Sequence, residues 1–276
     1  MRVFPAVLVA LSLAVPAGAQ VIAAPGPGRV VEGFMSHRAT YDLRLKKARW
    51  AANVAALNGR LVSEFDDVCA GFTFNQRLVT DYIDAEGKTT SSNFWISTYE
   101  SADGSSYRFS LNNFVDGVST EKTQGAATRG SDGAGQVAFT LPDGKNVTLP
   151  AGITFPTEFM GRLVSSARAG KHAASTKMFE GDAEGKVYDA FAAIGTERKA
   201  SEADLAVPGG AALKDLKAWP VTVSYYAPGK NDDLPEYETS FTLFENGVTS
   251  GVTLDYGDFT LFGTLRKIEP LQVPKC

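Results

Sequence analysis

Along most of the chain, apolar and polar positions alternate with a period of two, the spacing of half-buried strands rather than helices. Phe72, Phe74, Leu78 and Tyr82 fall on one face of an extended run, and Leu57, Leu61 and Phe65 do the same just before Cys69. Phe94, Ile96 and Thr98 alternate with Trp95, Ser97 and Tyr99. After Asp103-Gly104 the apolar face resumes as Tyr107, Phe109 and Leu111, a hairpin pattern. Asp143-Gly144, set between Val137, Phe139, Leu141 and Val147, Leu149, predicts a second hairpin. Near the end, Phe241 and Leu243 lead through Asn246-Gly247 to Val252 and Leu254. Gly257-Asp258 then leads to Phe259, Leu261 and Leu265, a three-strand meander. Ala173–Phe179, Lys186–Ile194 and Val221–Tyr226 also read as strands.

Helical spacing is rarer. Thr154–Gly170 predicts a helix, with Pro at its start, Phe159, Met160, Leu163, Val164 and Ala167 on one stripe, and Gly170 as its stop. A shorter helix is expected from about Ala211 to Trp219, ended by Pro220. Lys46–Ala56 reads as a helix or a long turn, and Thr123–Gly135, rich in Gly, Thr and Ser, as a flexible loop. Hairpins without interleaved helices predict an all-β fold of ten or more strands with one or two short helices, either a sandwich or a large antiparallel barrel.

At the N-terminus, Met1-Arg2 precedes an apolar run from Val3 to Val15 and then Ala17-Gly18-Ala19. This is the charged, apolar and small-residue order of a signal peptide. A membrane anchor needs about 20 uninterrupted apolar residues, whereas this run is shorter and contains Pro5 and Ser12. The expectation is export to a periplasm or secreted space, cleavage after Ala19, and one soluble domain over 20–276. The 27 Lys and Arg against 31 Asp and Glu give a net charge of −4, and nothing in that balance would hold a nucleic-acid backbone, whose binding needs clustered positive charge.

Export to an oxidising space gives the two cysteines, Cys69 and Cys276, a reason to pair, with free thiols or an intermolecular link as alternatives. Catalytic chemistry is scarce. His37 and His172 are the only histidines, and neither has metal-site spacing. Ser119-Thr120-Glu121-Lys122 matches Ser-x-x-Lys but lacks its companion motifs. Neither His37 nor Ser119 is expected to be catalytic, and no cofactor or metal is expected.

The sharpest segment is Ser36–Leu45, a first strand that sends His37, Ala39, Tyr41, Leu43 and Leu45 to one side. Arg38 and Asp42 go to the other, where they can pair with neighbouring strands. The 17 Phe, 9 Tyr and 3 Trp exceed what outward faces need. Phe72, Phe74, Phe94, Phe109, Phe241 and Phe259 are therefore candidates to line an apolar barrel cavity.

Three stretches carry a family resemblance: His37-Arg38-x-x-Tyr41-Asp42; Val68-Cys69-Ala70-Gly71 followed by Asn75-Gln76-Arg77; and Ala218–Tyr226, with the terminal Cys276. Together they resemble the periplasmic envelope-integrity proteins of the EipB family. The resemblance implies a β-spiral, an open barrel whose strands overlap, tied by a disulfide matching Cys69 and Cys276. It also implies a non-enzymatic role in envelope integrity and stress survival, with a periplasmic tetratricopeptide-repeat protein as partner. A shape like that of lipoprotein carriers implies the alternative, a carrier of a lipid, acyl chain, lipoprotein or hydrophobic peptide. The family brings no assigned role for His37, Arg38, Tyr41 or Asp42.

Overall fold

The computed structural model describes residues 28–142, 144–229 and 234–272. The expected signal peptide, 1–19, and Cys276 lie outside the described residues.

Fifteen strands form one sheet. The first eight are β1 (His37–Ala48), β2 (Ala56–Asp67), β3 (Gly71–Ile83), β4 (Thr89–Ser101), β5 (Ser106–Val115), β6 (Val118–Arg129), β7 (Gly135–Leu141) and β8 (Asn146–Leu149). After β9 (Ile153–Thr154) come helix α1 (Pro156–Arg168), β10 (Ala173–Met178), β11 (Tyr188–Ile194) and helix α2 (Glu202–Ala206). The chain closes with β12 (Ala218–Tyr226), β13 (Tyr237–Phe244), β14 (Thr249–Asp255) and β15 (Phe259–Pro270).

The sheet is an antiparallel meander in two halves joined at β1, which pairs with β2 on one side and β15 on the other. Its edges are β8, four residues, and β9, two residues paired parallel to β10. Edges this short offer little template for a foreign strand. They do not hydrogen-bond to each other. Ile153, with Phe155 and Phe179 just beyond β9 and β10, packs instead against Tyr107, Phe109, Val137, Phe139 and Leu149 of β5, β7 and β8. The result is the expected all-β architecture, a nearly closed barrel.

Helix α1 lies against the inner wall. Nine of its thirteen residues are buried, which marks an interior helix rather than one with a wet face. Phe159, Leu163, Val164 and Ala167 pack on Ala174, Ala190 and Ala192, whose small side chains let the helix approach β10 and β11. Gly161 meets the segment before β1, where an added Cβ would sit 2.6 Å from the Val30 carbonyl oxygen. The helix ends as expected at Gly170, whose φ of +72° suits glycine.

Two local expectations need correction, and a third, left open between helix and turn, is decided. Thr123–Arg129 is strand, not loop: Thr123, Gly125 and Ala127 point inward, and small residues there leave room for the Phe109 ring, 2.7 Å from where a Gly125 Cβ would stand. Ala211–Trp219 is not a helix. A 3-10 turn, Gly210–Leu213, precedes β12, and Pro220 sits inside that strand with its carbonyl accepting from the Gly195 N–H at 2.7 Å. The helix in this region is α2, started by a capping box in which Ser201 and Asp204 bond each other's backbone N–H. Lys46–Ala56 resolves into the end of β1, a 3-10 turn at Trp50–Ala52, and the start of β2.

Candidate functional site

A cavity of about 300 Å³ opens beside the first turns of α1. Pro156, Thr157 and Met160 of the helix form one wall, Tyr41, Leu61 and Phe74 of β1–β3 a second, and Tyr225, Phe241 and Val252 of β12–β14 a third. Its polar groups are uncharged side chains, among them Gln76, Ser63, Thr239 and Thr249; among the described residues no Asp, Glu, Lys or Arg lines it. An uncharged, mostly apolar wall favours a ligand part without formal charge.

The alternation of β1 puts two motif residues on this wall. His37 is buried, its Nδ1 lies 2.7 Å from the Met35 carbonyl, and burial holds its pKa below the ordinary 6.5. Tyr41 is buried with its hydroxyl donating to the Thr249 carbonyl at 2.7 Å, and burial pushes its pKa up to about 12. Both act as fixed, neutral wall groups.

Arg38 and Asp42 point outward. Arg38 bonds Glu64 on β2, while Asp42 accepts from Arg60 of β2 at 3.0 Å and Arg266 of β15 at 2.8 Å. The outer half of the motif thus clips β1 to both neighbours, where the two halves of the sheet meet.

Of the six aromatic candidates, Phe74 and Phe241 line the cavity. Phe94 is half-buried in β4 opposite Leu78, away from the cavity wall. Phe72 is fully buried, stacked on Phe65 with Arg29 over its ring, and Phe109 is locked among Tyr107, Phe139 and Phe179. Phe259 packs on Tyr256 at one rim, beside a separate hollow of about 240 Å³. Period-two reasoning places a residue on the inner face but does not tell packed interior from open interior.

Ser119 and Lys122 lie exposed in β6, whereas the Ser-x-x-Lys pairing depends on one turn of helix. His172 places Nδ1 3.1 Å from the Ile194 carbonyl at the other end of the sheet.

The largest feature that sequence reasoning missed is a buried charge cluster at the start of α1. Phe155, the residue before the helix, has no capping side chain. Glu100 reaches over from β4, its two oxygens accepting from the N–H groups of Thr157 at 2.9 Å and Glu158 at 3.0 Å. Glu158 itself is fully buried and held by Arg129, at 2.9 Å, and Arg162. Arg129 also donates to the Ile153 carbonyl at 3.0 Å, so one side chain ties β6, β9 and α1. The i, i+4 spacing of Glu158 and Arg162 was the only local signal. The other partners are distant in the chain.

A nearly closed antiparallel barrel that holds a helix and an uncharged internal cavity defines a β-barrel-like protein with room for a small apolar group. The EipB-like family model matches residues 29–272. The chain is 33% identical over 238 residues to the cell envelope integrity protein EipB of Brucella abortus (strain 2308), covering 86% of this chain and 84% of that protein. It is also similar to the crystal structure of a β-barrel-like protein of domain of unknown function DUF1849 from Brucella abortus. That match has a TM-score of 0.80 and 32% identity, and covers 87% of this chain and 99% of that one. The chain belongs to the EipB-like family.

Proposed function

We propose that this protein supports cell-envelope integrity as a non-enzymatic periplasmic protein, and that it acts by binding an apolar group in the cavity beside α1. The relative's role supports the envelope assignment. No helix among the described residues is long and apolar enough to cross a membrane, which accords with delivery by the 1–19 signal peptide. A tetratricopeptide-repeat protein is the partner the family resemblance proposes.

The observation that carries the binding reading is the uncharged wall around about 300 Å³. Ligand cavities run from about 300 to 1,000 Å³, so this one suits a single short acyl chain or a bulky apolar side chain better than a whole two-tailed lipid. The ionisable wall groups are all uncharged at neutral pH, because burial keeps His37 neutral and Tyr41 and Tyr225 protonated.

A fluorescent fatty-acid analogue titrated against the purified chain should bind saturably. Phe74→Asp with Phe241→Asp should weaken binding at least about tenfold, because each places a charge in an apolar wall, while thermal melting shows the fold retained. Mass spectrometry of material copurifying from the native periplasm should show an acyl-bearing species. No saturable binding by any acyl or apolar peptide probe would sink the reading.

A further inference from the structure

One rim of the barrel carries a bare tryptophan at the end of a run of cations. Trp50 stands at the turn after β1 with 98% of its surface exposed. A large ring with one polar N–H suits a boundary between wet and apolar phases. Arg44, Lys46, Lys47 and Arg49 lead up to it along the end of β1 and the residue just beyond, and none forms an ion pair with a described residue. Farther down the same part of the sheet, Arg38, Arg60 and Arg266 are all paired.

The neighbouring strand extends the patch. Arg44 sits opposite Phe262 of β15, which is 38% exposed, and the Lys46 Nζ lies 5.9 Å from that ring. The Arg49 N–H donates to the Asp258 carbonyl at 2.8 Å, which brings the turn bearing exposed Tyr256 beside Trp50. Leu234, 76% exposed, lines a hollow there with Lys47 and Arg49. Asp255, Asp258 and Glu238 border the same hollow, so it is not itself an anion pocket. Glu86 bonds Asn53 in the Trp50 turn; Arg44 and Lys46 do not line the hollow and stand with Phe262 on the outer face, clear of those carboxylates.

We propose that this rim docks on a membrane surface bearing anionic phospholipid. Trp50 enters the headgroup layer, and Arg44, Lys46, Lys47 and Arg49 face the lipid phosphates. An exposed ring alone would suit a protein partner or a second copy of the chain. The unpaired cations beside it are what select an anionic surface. The chain's net charge of −4 makes the attraction a property of this patch rather than of the whole molecule. The proposal goes beyond the cavity reading and does not depend on the cavity being filled.

The test uses the full mature chain with vesicles of phosphatidylethanolamine and phosphatidylglycerol, and matched vesicles of phosphatidylcholine. Sedimentation should show binding to the first only, reversed by about 0.5 M salt, where screening shortens the range of exposed charges. Tryptophan emission should shift to the blue on binding, and Trp50→Phe should remove the shift. Lys46→Glu with Lys47→Glu should weaken partitioning by at least about tenfold, since each cation near an anionic surface contributes a several-fold gain. All these side chains are exposed, so melting temperatures should not move, and fatty-acid analogue binding should survive in both variants. Absent vesicle binding, equal binding to both vesicle types, or self-association lost in Trp50→Phe without vesicle binding would each overturn the proposal.

Discussion

At the residue scale, the most informative group is Glu100, a carboxylate placed where no strand residue needs one. Burial and the nearby Glu158 charge raise its pKa to about 8, against the pull of two backbone N–H donors. Folding therefore takes up a proton between the ordinary 4.5 and about 8. That contribution to stability is fully present below about 4.5 and is lost as the pH rises through 8. His37 works in the opposite sense, its lowered pKa costing stability only below the ordinary 6.5. Melting temperatures measured at pH values of about 7 to 9 lie above the His37 range, and since burial also raises the Glu180 pKa, the Glu100 share is the difference between wild type and Glu100→Gln. The wild-type protein should lose several degrees over that range, and Glu100→Gln should flatten the dependence while starting about 1 kcal/mol less stable for the acceptor it lacks. Equal pH slopes in the two proteins would mean that the two N–H groups already hold Glu100 ionised.

At the element scale, α1 shows how close packing outweighs helix propensity. Replacing a mid-helix glycine by alanine ordinarily gains about 1 kcal/mol. At Gly161, however, the new Cβ would meet the Val30 carbonyl oxygen at 2.6 Å and a Val31 methyl at 2.9 Å. The Val30 N–H is itself bonded to the Ala102 carbonyl, so this backbone has little freedom to retreat. Gly161→Ala should destabilise by about 1–3 kcal/mol, read by denaturant unfolding; a more stable variant would show that the 29–31 segment yields. The same contest explains which elements were legible. Strands with alternating large residues, such as Phe94–Thr98 against Tyr107–Leu111, announce themselves, and so does the apolar stripe of α1. Strand β6 does not, because its inward positions are small so that Phe109 can fill the space beneath. Pro220 misleads as a helix stop because β12 tolerates a proline where its missing N–H is not required. Within the site, the His37 and Tyr41 side of β1 followed from alternation. The Glu100–Glu158–Arg129 cluster did not, because it depends on which distant strands the meander brings to α1.

At the scale of the whole molecule, the barrel is held at three places of different strength. The first is the junction of its two halves, where the ion pairs of Asp42 with Arg60 and Arg266 are exposed and each contributes at most about 1 kcal/mol. The second is the unpaired edges, where Arg129 and the buried aromatics of β5, β7 and β8 substitute for a ladder. The third is the turn after β2. There Cys69 takes a φ of +67°, its carbonyl accepts from Arg29 at 2.8 Å, and Arg29 also grips Asp67. So rigid a setting suits a tether point, and it lies at the same end of the sheet as the C-terminal end of β15, since β1 pairs His37 with both Phe65 and Pro270. From Pro270 the chain has only six residues left to reach Cys276. A Cys69–Cys276 bridge would close a loop around nearly the whole sheet, sparing the exposed junction from carrying closure alone. Non-reducing peptide mapping of the protein isolated from its native cells should therefore recover the two cysteines in one linked fragment. Cys69→Ser should then cost about 2–5 kcal/mol, with the loss appearing as earlier unfolding in denaturant. Two free thiols in the map would refute the bridge, and an unchanged midpoint in Cys69→Ser would show that Arg29, Asp67 and the β1 junction already hold this end of the barrel without it.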